Sequence, residues 1–125
     1  MSEAAAELDA LVEEWLTLAE VADLLAVPLR RVRRLLQERQ LVAVRRSATA
    51  GASPEPAVPA ALIKDGAPLP ELAGTVTLLR DAGFSDEEAL HWLFTPDPTL
   101  PGSPVEAMRA GRKTEIRRRA QALAF

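Results

Sequence analysis

A proline at position 28 separates two short amphipathic segments, and this break limits the folds open to the chain more than any other feature. Ahead of it, Thr17 and Glu20 have the spacing of a capping box, in which each side chain bonds the other residue's backbone N–H. Pro28 disfavours helical geometry at Val27 and is a good entry to a new helix. Apolar residues then recur at helical spacing over 29–38. The sequence therefore predicts two short helices joined by a tight turn.

The segment after the second helix has the pattern of a β-hairpin. In "LVAVRR", residues 41–46, Val42 and Val44 alternate with other residues, which is typical of a short strand. The stretch 47–56 has small and polar residues and contains Pro and Gly, so it predicts a flexible loop. Residues 57–63 can supply a return strand followed by a turn. Two helices, a strand, a loop and a strand together predict a winged helix-turn-helix.

The second half of the chain is predicted to be helical. Ser85 with Glu88, and Ser103 with Glu106, are two further capping boxes, and the Pro-rich stretch 95–102 between them predicts a turn. The predicted helices are 71–82, 85–94, 104–110 and 113–123. The fold class is thus mainly α, with a short β-hairpin wing and a C-terminal helical domain. We predict three parts, namely an acidic N-terminal segment (1–14), a winged helix-turn-helix domain (15–66) and a C-terminal helical domain (67–125).

Positive charge is strongly segregated, although the net charge of the chain is -3. Residues 28–46 carry seven arginines and a single acid, Glu38, whereas residues 1–27 carry seven acids and no base. Local patches of this kind matter more for binding polyanions than the net charge does. A run of arginines on a helix is ordinarily its solvated face. The helix-turn-helix spacing and the acidic remainder of the chain favour a DNA-binding surface instead.

At about 100° per residue, the apolar residues of the second helix gather on one side and the arginines face away from the core. Arg30, Arg34 and Gln37 point opposite the apolar side, Arg31 flanks them, and Arg33 lies nearer the apolar border. Arginine binds phosphate and the guanine edge, and glutamine can pair with adenine. The predicted DNA-binding residues, which include two arginines at the start of the wing, are Arg30, Arg31, Arg33, Arg34, Gln37, Arg45 and Arg46.

A second basic cluster lies near the C-terminus and is open to several interpretations. It consists of Arg109, Arg112, Lys113, Arg117, Arg118 and Arg119. These side chains could complement the dipole of a helix C-terminal half, pair with the acidic N-terminus, or contact phosphate. Arg117 and Arg118 are the candidate supporting DNA contacts.

Catalytic, metal and cofactor sites are not expected. The chain has no cysteine and one histidine, His91, which makes a poor metal site alone and is expected to be partly buried or to cap a helix. The acids at 86–88 are explained by their place in a first helical turn. Trp92 is expected to anchor the C-terminal core, and Trp15 to pack beside the start of the first helix as a hydrophobic staple. We therefore predict a protein that is not an enzyme.

A cytoplasmic, nucleoid-associated location is expected. The N-terminal stretch is acidic and lacks the basic region of a signal peptide. No apolar run approaches the roughly 20 residues that span a bilayer. The predicted partner is double-stranded DNA, with no membrane association. One recognition helix contacts only a few base pairs, so tight specific binding is expected to need either a homodimer or a second contact with the DNA.

The segment "LTLAEVADLLAVPLRRVRRLLQERQLVAVRR" resembles the excisionase- and MerR-like winged helix-turn-helix group, with Thr17, Glu20, Ala22, Leu25 and Val27 at the matching positions. The stretches "HWLFTPDPTL" and "RRAQALAF" are similar to the tail of a small actinobacterial family of DNA-binding proteins, whose mycobacterial member is a Ser/Thr protein kinase substrate. The resemblance covers about residues 15–125. It implies a winged helix-turn-helix, a helical C-terminal domain, and DNA binding in transcription or nucleoid regulation. Kinase regulation is not carried over, because no threonine precedes Thr17.

A looser resemblance supplies the alternative function. The pattern "W-L-x-T-P-x-P-x-L…G-x-x-P" is similar to the C-terminal toxin-binding domain of some antitoxins, and here it falls on Trp92, Leu93, Thr95, Pro96, Pro98, Leu100, Gly102 and Pro104. It implies a small helical unit that binds a protein partner. The alternative is therefore a protein-interaction module with its contact near Trp92 or Leu100.

Overall fold

The chain is described by a computed structural model that covers residues 3–47, 49, 51–100 and 102–123. Short helices dominate, and they are joined by a three-stranded sheet and a two-stranded hairpin. The helices are α1 (Glu3–Leu11), α2 (Leu18–Leu25), α3 (Leu29–Gln37), α4 (Leu72–Asp81), α5 (Asp86–Phe94), α6 (Pro104–Arg109) and α7 (Lys113–Leu123). The strands are β1 (Trp15–Thr17), β2 (Val44–Arg46), β3 (Glu55–Pro59), β4 (Ile63–Lys64) and β5 (Ala67–Pro68). A mainly α fold with a wing is confirmed.

The helix starts follow the predicted capping boxes. At the start of α2, the Glu20 N–H donates to Thr17 Oγ1 at 3.1 Å, and the Thr17 N–H donates to Glu20 Oε1 at 2.9 Å. The same reciprocal pair is present at the starts of α5 and α6. Each box satisfies two backbone N–H groups that have no partner inside the helix.

The turn between α2 and α3 is three residues long and tightly bonded. Ala26 adopts left-handed geometry, with φ 57°. The Val27 N–H donates to the Ala22 carbonyl at 3.0 Å, which ends α2 and turns the chain into Pro28. Val32 is fully buried, so α3 lies against the core by one face only. This arrangement is the predicted helix-turn-helix.

The wing is the hairpin of β2 and β3, and it belongs to a three-stranded antiparallel sheet of order β1-β3-β2. The strand β1 was not predicted. Trp15 lies in β1 opposite Pro59, and its expected packing beside the start of α2 as a staple stays a prediction. A strand of three residues is too short to produce a recognisable alternation, and its pairing partner lies far along the chain. The loop predicted over 47–56 includes residues 48 and 50, which lie outside the described residues, and its last two residues, Glu55 and Pro56, belong to β3.

The acidic N-terminal segment forms a helix that docks on the C-terminal half. Leu8 and Val12 are buried, and α1 packs against α5. The Glu7 carboxylate lies 2.7 Å from His91 Nε2 across this contact. His91 is half-buried, and the Thr95 hydroxyl also lies near its ring, 3.4 Å from Nδ1. The segment is therefore a structural link between the two halves of the protein.

The two halves share one hydrophobic core, which runs from Leu8 to Ala120. The predicted division between residues 66 and 67 falls inside the β4–β5 hairpin. The turn of this hairpin holds Asp65 and Gly66 at positive φ, which is the geometry that an Asp-Gly pair favours. The Arg109 guanidinium donates to the Ala61 and Ile63 carbonyls at 2.9 and 2.7 Å, tying α6 to the end of the wing domain. None of the described helices combines the length and the apolar character needed to cross a membrane.

Candidate nucleic-acid interface

The helix α3 presents its arginines to solvent. Val32 and Leu35 are buried on its inner face, at 0% and 5% relative exposure. The residues predicted for this surface are all exposed, namely Arg30, Arg31, Arg33, Arg34 and Gln37. Because α3 contains four arginines and no acid, its outer face carries four positive charges. We call these five side chains the arginine face.

Most of the arginine face is unengaged by the rest of the protein. Within the part of the chain that the structure describes, Arg30, Arg31 and Arg33 form no hydrogen bond or ion pair. Arg34 Nε lies 3.6 Å from Glu38 Oε2, and the Arg34 side chain is 68% exposed. An exposed pair of this kind contributes well under 1 kcal/mol, so it holds Arg34 only weakly. The four guanidinium groups are therefore accessible to an anionic ligand.

The structure separates the two arginines of the wing. Arg45 is exposed, and its Nη1 donates to the Pro54 carbonyl at 3.2 Å, within the wing itself. The Arg46 side chain is only 28% exposed, and its Nη2 lies 2.8 Å from Asp9 Oδ1 on α1. The Arg46 guanidinium also lies over the Trp15 ring, 4.7 Å from the ring centroid. Both arginines were predicted as DNA-binding residues, but Arg45 has a single hydrogen bond among the described residues, whereas Arg46 contacts both Asp9 and Trp15.

The C-terminal basic cluster is largely used within the protein. Arg117 Nη1 lies 3.1 Å from Glu71 Oε2, and Arg119 pairs with Asp97 at 3.2 Å and Glu115 at 3.0 Å. Arg118 is exposed and has no hydrogen bond or ion pair among the described residues. Arg117 and Arg119 are thus paired within the chain, but with Glu71, Asp97 and Glu115 and not with the acidic N-terminus as predicted. The side chain of Lys113 lies outside the described residues.

Two carboxylates among the described residues have lowered pKa values, and both stabilise local structure. The backbone N–H of Ser85 and then its hydroxyl lower the pKa of Glu88 at the start of α5. The backbone N–H and hydroxyl of Thr99, and more weakly Arg119, lower the pKa of Asp97. The Thr99 N–H lies 2.8 Å from Asp97 Oδ1, which is the side-chain turn expected of an aspartate between prolines. These shifts are explained by helix and turn geometry.

Comparisons with known proteins identify the family. A family model described as "DNA-binding protein Rv2175c, wHTH domain" matches residues 4–63, and one described as "Rv2175c C-terminal domain of unknown function" matches residues 69–124. The curated "DNA-binding protein Rv2175c" of Mycobacterium tuberculosis (strain ATCC 25618 / H37Rv) is 42% identical over 120 residues, which cover 86% of this chain and 79% of that protein. The chain belongs to the Rv2175c family. The predicted resemblance to a family of winged helix-turn-helix DNA-binding proteins is confirmed.

A solved member of the Rv2175c family has the same fold. The NMR structure of Rv2175c superposes with a TM-score of 0.78 at 38% identity, covering 90% of this chain and 82% of that chain. The family model of the winged helix-turn-helix domain begins at residue 4 and so includes α1. The first helix was missed because the buried Leu8, with Val12 just after the helix end, gives only a weak periodic signal within an acidic segment.

Proposed function

We propose that the protein binds double-stranded DNA by placing α3 in the major groove, and that it acts in transcription or nucleoid regulation. Within this proposal, Arg30, Arg31, Arg34 and Gln37 face the groove. Arg33 and Arg45 contact the phosphate backbone. Arg118 is a candidate supporting contact, as is Arg117 if it exchanges its partner Glu71 for phosphate.

The observation that carries this proposal is the unengaged charge on α3. Four exposed arginines lie on one helix of nine residues, and the second helix of a helix-turn-helix is the element that enters the major groove. Arginine side chains left without protein partners retain their full positive charge for phosphate and guanine. A solvated face of ordinary composition would contain both signs of charge, whereas α3 contains only one.

The helix-turn-helix is further proposed to be of the excisionase- and MerR-like type. The capping box of Thr17 and Glu20 and the tight turn at Ala26 support this assignment. Kinase regulation is not part of the proposal, since the segment before Thr17 holds no threonine.

The test is fluorescence anisotropy with a labelled random-sequence duplex at several salt concentrations. On a random-sequence duplex, where no base is recognised, each of the four arginines of α3 would neutralise one phosphate, and together they contribute about 3.6 to the fall of log K with log salt. The net negative charge of the chain repels DNA. A steep salt dependence of duplex affinity for the protein with all four α3 arginines would therefore mean that a local positive patch attracts the DNA. No binding at low salt would refute the proposal.

A protein-interaction role for the C-terminal domain is a second candidate. A groove of about 340 Å³ between α1 and α5 is lined in part by two half-buried aromatic side chains, Phe84 and Trp92. Of the residues in the antitoxin-like pattern, Leu93 and Leu100 are buried at 0% and 2% exposure and are therefore core residues. A partner contact would consequently involve Trp92 and not Leu100.

The two candidates can be separated by one variant. If the C-terminal domain binds a partner protein through this groove, Trp92→Ala should abolish that association and leave the affinity for a duplex unchanged.

A homodimer is also part of the proposal, and light scattering of the free protein and of its duplex complex would report the number of chains in each. A complex with one protein chain on each duplex would contradict the proposed homodimer.

A further inference from the structure

We propose that Arg46 is a positioning residue, which fixes the wing through Asp9 and Trp15, and that Arg45 is the DNA contact of the wing. This inference rests on the proposed function, because it assigns roles within the same DNA-binding surface. It also means that α1 supports the DNA-binding surface by holding the wing in place.

The strand register places the two arginines on opposite faces of the sheet. Neighbouring residues of a strand point to opposite faces, and directly paired residues of antiparallel strands share a face. Arg45 pairs with Pro56, and Leu16 pairs with Val58, two residues further along the same strand. Arg45 therefore shares a face with two buried side chains, those of Leu16 and Val58.

Arg46 lies on the other face, which α1 covers. Val44, two residues before it, shares this face, and so does Trp15 through its pairing with Pro59. A cavity of about 200 Å³ between α1 and the wing is lined by Leu8 and Asp9 of α1, and Arg45 borders it as well as Arg46. The helix α1 thus lies against the base of the wing, and Arg46 is the side chain that joins the two.

The Arg46 side chain is engaged on two sides. Its Nη2 is 2.8 Å from Asp9 Oδ1, and its guanidinium stacks on Trp15. Its Nε atom is buried. Reaching a phosphate would require Arg46 to give up both the carboxylate and the aromatic ring. Arg45 would give up only one hydrogen bond to the Pro54 carbonyl.

Neutralising Asp9 is an experiment for which the two possible roles of Arg46, phosphate contact and positioning residue, predict opposite changes in DNA affinity. If Arg46 were a phosphate contact restrained by Asp9, then Asp9→Asn would release it and strengthen DNA binding. If Asp9 positions the wing through Arg46, Asp9→Asn weakens DNA binding although it removes a negative charge. The expected loss is about threefold in affinity, corresponding to the free energy of one partly exposed ion pair.

The matched control is Glu13→Gln. Glu13 follows α1, is exposed, and forms no hydrogen bond or ion pair within the described residues. This variant removes the same charge without touching the wing, so duplex affinity should stay the same or rise slightly. Asn is isosteric with Asp, and a thermal melt of each variant will verify that both fold.

A double-variant cycle distinguishes positioning from a purely structural role. Arg45→Gln should lower the salt slope of binding by about one in the wild-type background. The same substitution should have a smaller effect in the Asp9→Asn background, because the wing is already misplaced. Equal effects in both backgrounds would overturn the inference, as would equal or tighter binding by Asp9→Asn, or equal weakening by Glu13→Gln. If the wild type fails to bind the duplex, the proposed function itself fails, which is a different result.

Discussion

Removing two arginines from the outer face of α3 should weaken DNA binding far more than it affects folding. Arg30 and Arg34 are four residues apart, so they lie on the same side of the helix, and both are exposed. On a random-sequence duplex these groove-facing arginines would each neutralise a phosphate, and each such contact contributes about 0.9 to the dependence of log K on log salt. At 0.1 M salt this corresponds to about eightfold in affinity for each contact, and about sixtyfold for Arg30→Ala/Arg34→Ala. The salt slope should fall by about two.

The loss should not come from unfolding. Alanine is the best helix former, and neither arginine contributes to the core. Arg34→Ala removes the weak pair with Glu38 at 3.6 Å, which is worth about 0.3–0.5 kcal/mol in an exposed helix. The free energy of unfolding in urea should therefore change by less than about 1 kcal/mol. Circular dichroism will verify that the helix content is retained.

The assay is fluorescence anisotropy with a random-sequence duplex at several salt concentrations. Duplex affinity is compared between single variants that remove the same charge at different sites. Arg112→Ala removes one positive charge from the half-buried position after α6, which has no proposed DNA contact. Its effect should be much smaller than that of Arg30→Ala alone. Equal effects of these two single variants would mean that only total charge matters, and an unchanged double variant would refute the assignment of α3.

Three further changes test the local structure. Ser85→Ala removes the cap of α5 and should cost about 1 kcal/mol in urea unfolding. Because the folded pKa of Glu88 is lowered, its stabilisation is present above the ordinary glutamate pKa and is lost as pH falls through the folded value, so Ser85→Ala should lose less stability in acid than the wild type. Ala26→Gly should raise the free energy of unfolding by about 0.5 kcal/mol, since its φ of 57° is unfavourable for alanine. Leu90→Ala should lower it by about 2–5 kcal/mol, because Leu90 is fully buried, and an unchanged midpoint would contradict that packing.

The helical parts of the fold were largely predictable because their signals are local. A capping box lies within four residues, and all three predicted boxes are present. The basic helix predicted over 113–123 begins and ends as expected. The hairpin at Asp65 and Gly66 was missed although Asp-Gly is a strong turn signal, because its strands are only two residues each.

The site was predictable only where periodicity decides it. The outer face of α3 follows from the spacing of Val32 and Leu35, whose burial turns the arginines outward. The different environments of Arg45 and Arg46 could not be predicted in this way, because they depend on a strand register and on a carboxylate 37 residues away in sequence. Likewise, the docking of α1 on α5 depends on tertiary contacts that a weakly amphipathic acidic segment does not reveal.

The most direct test of DNA binding through α3 is an NMR titration of the ¹⁵N-labelled protein with a short duplex. The account predicts that the largest amide shift changes fall on residues 28–39 and on the wing strand 44–46. Amides of the buried core and of the groove beside Trp92 should change little. Shift changes concentrated on α5 to α7, with residues 28–39 unaffected, would contradict the account and would assign the DNA contact to the C-terminal domain.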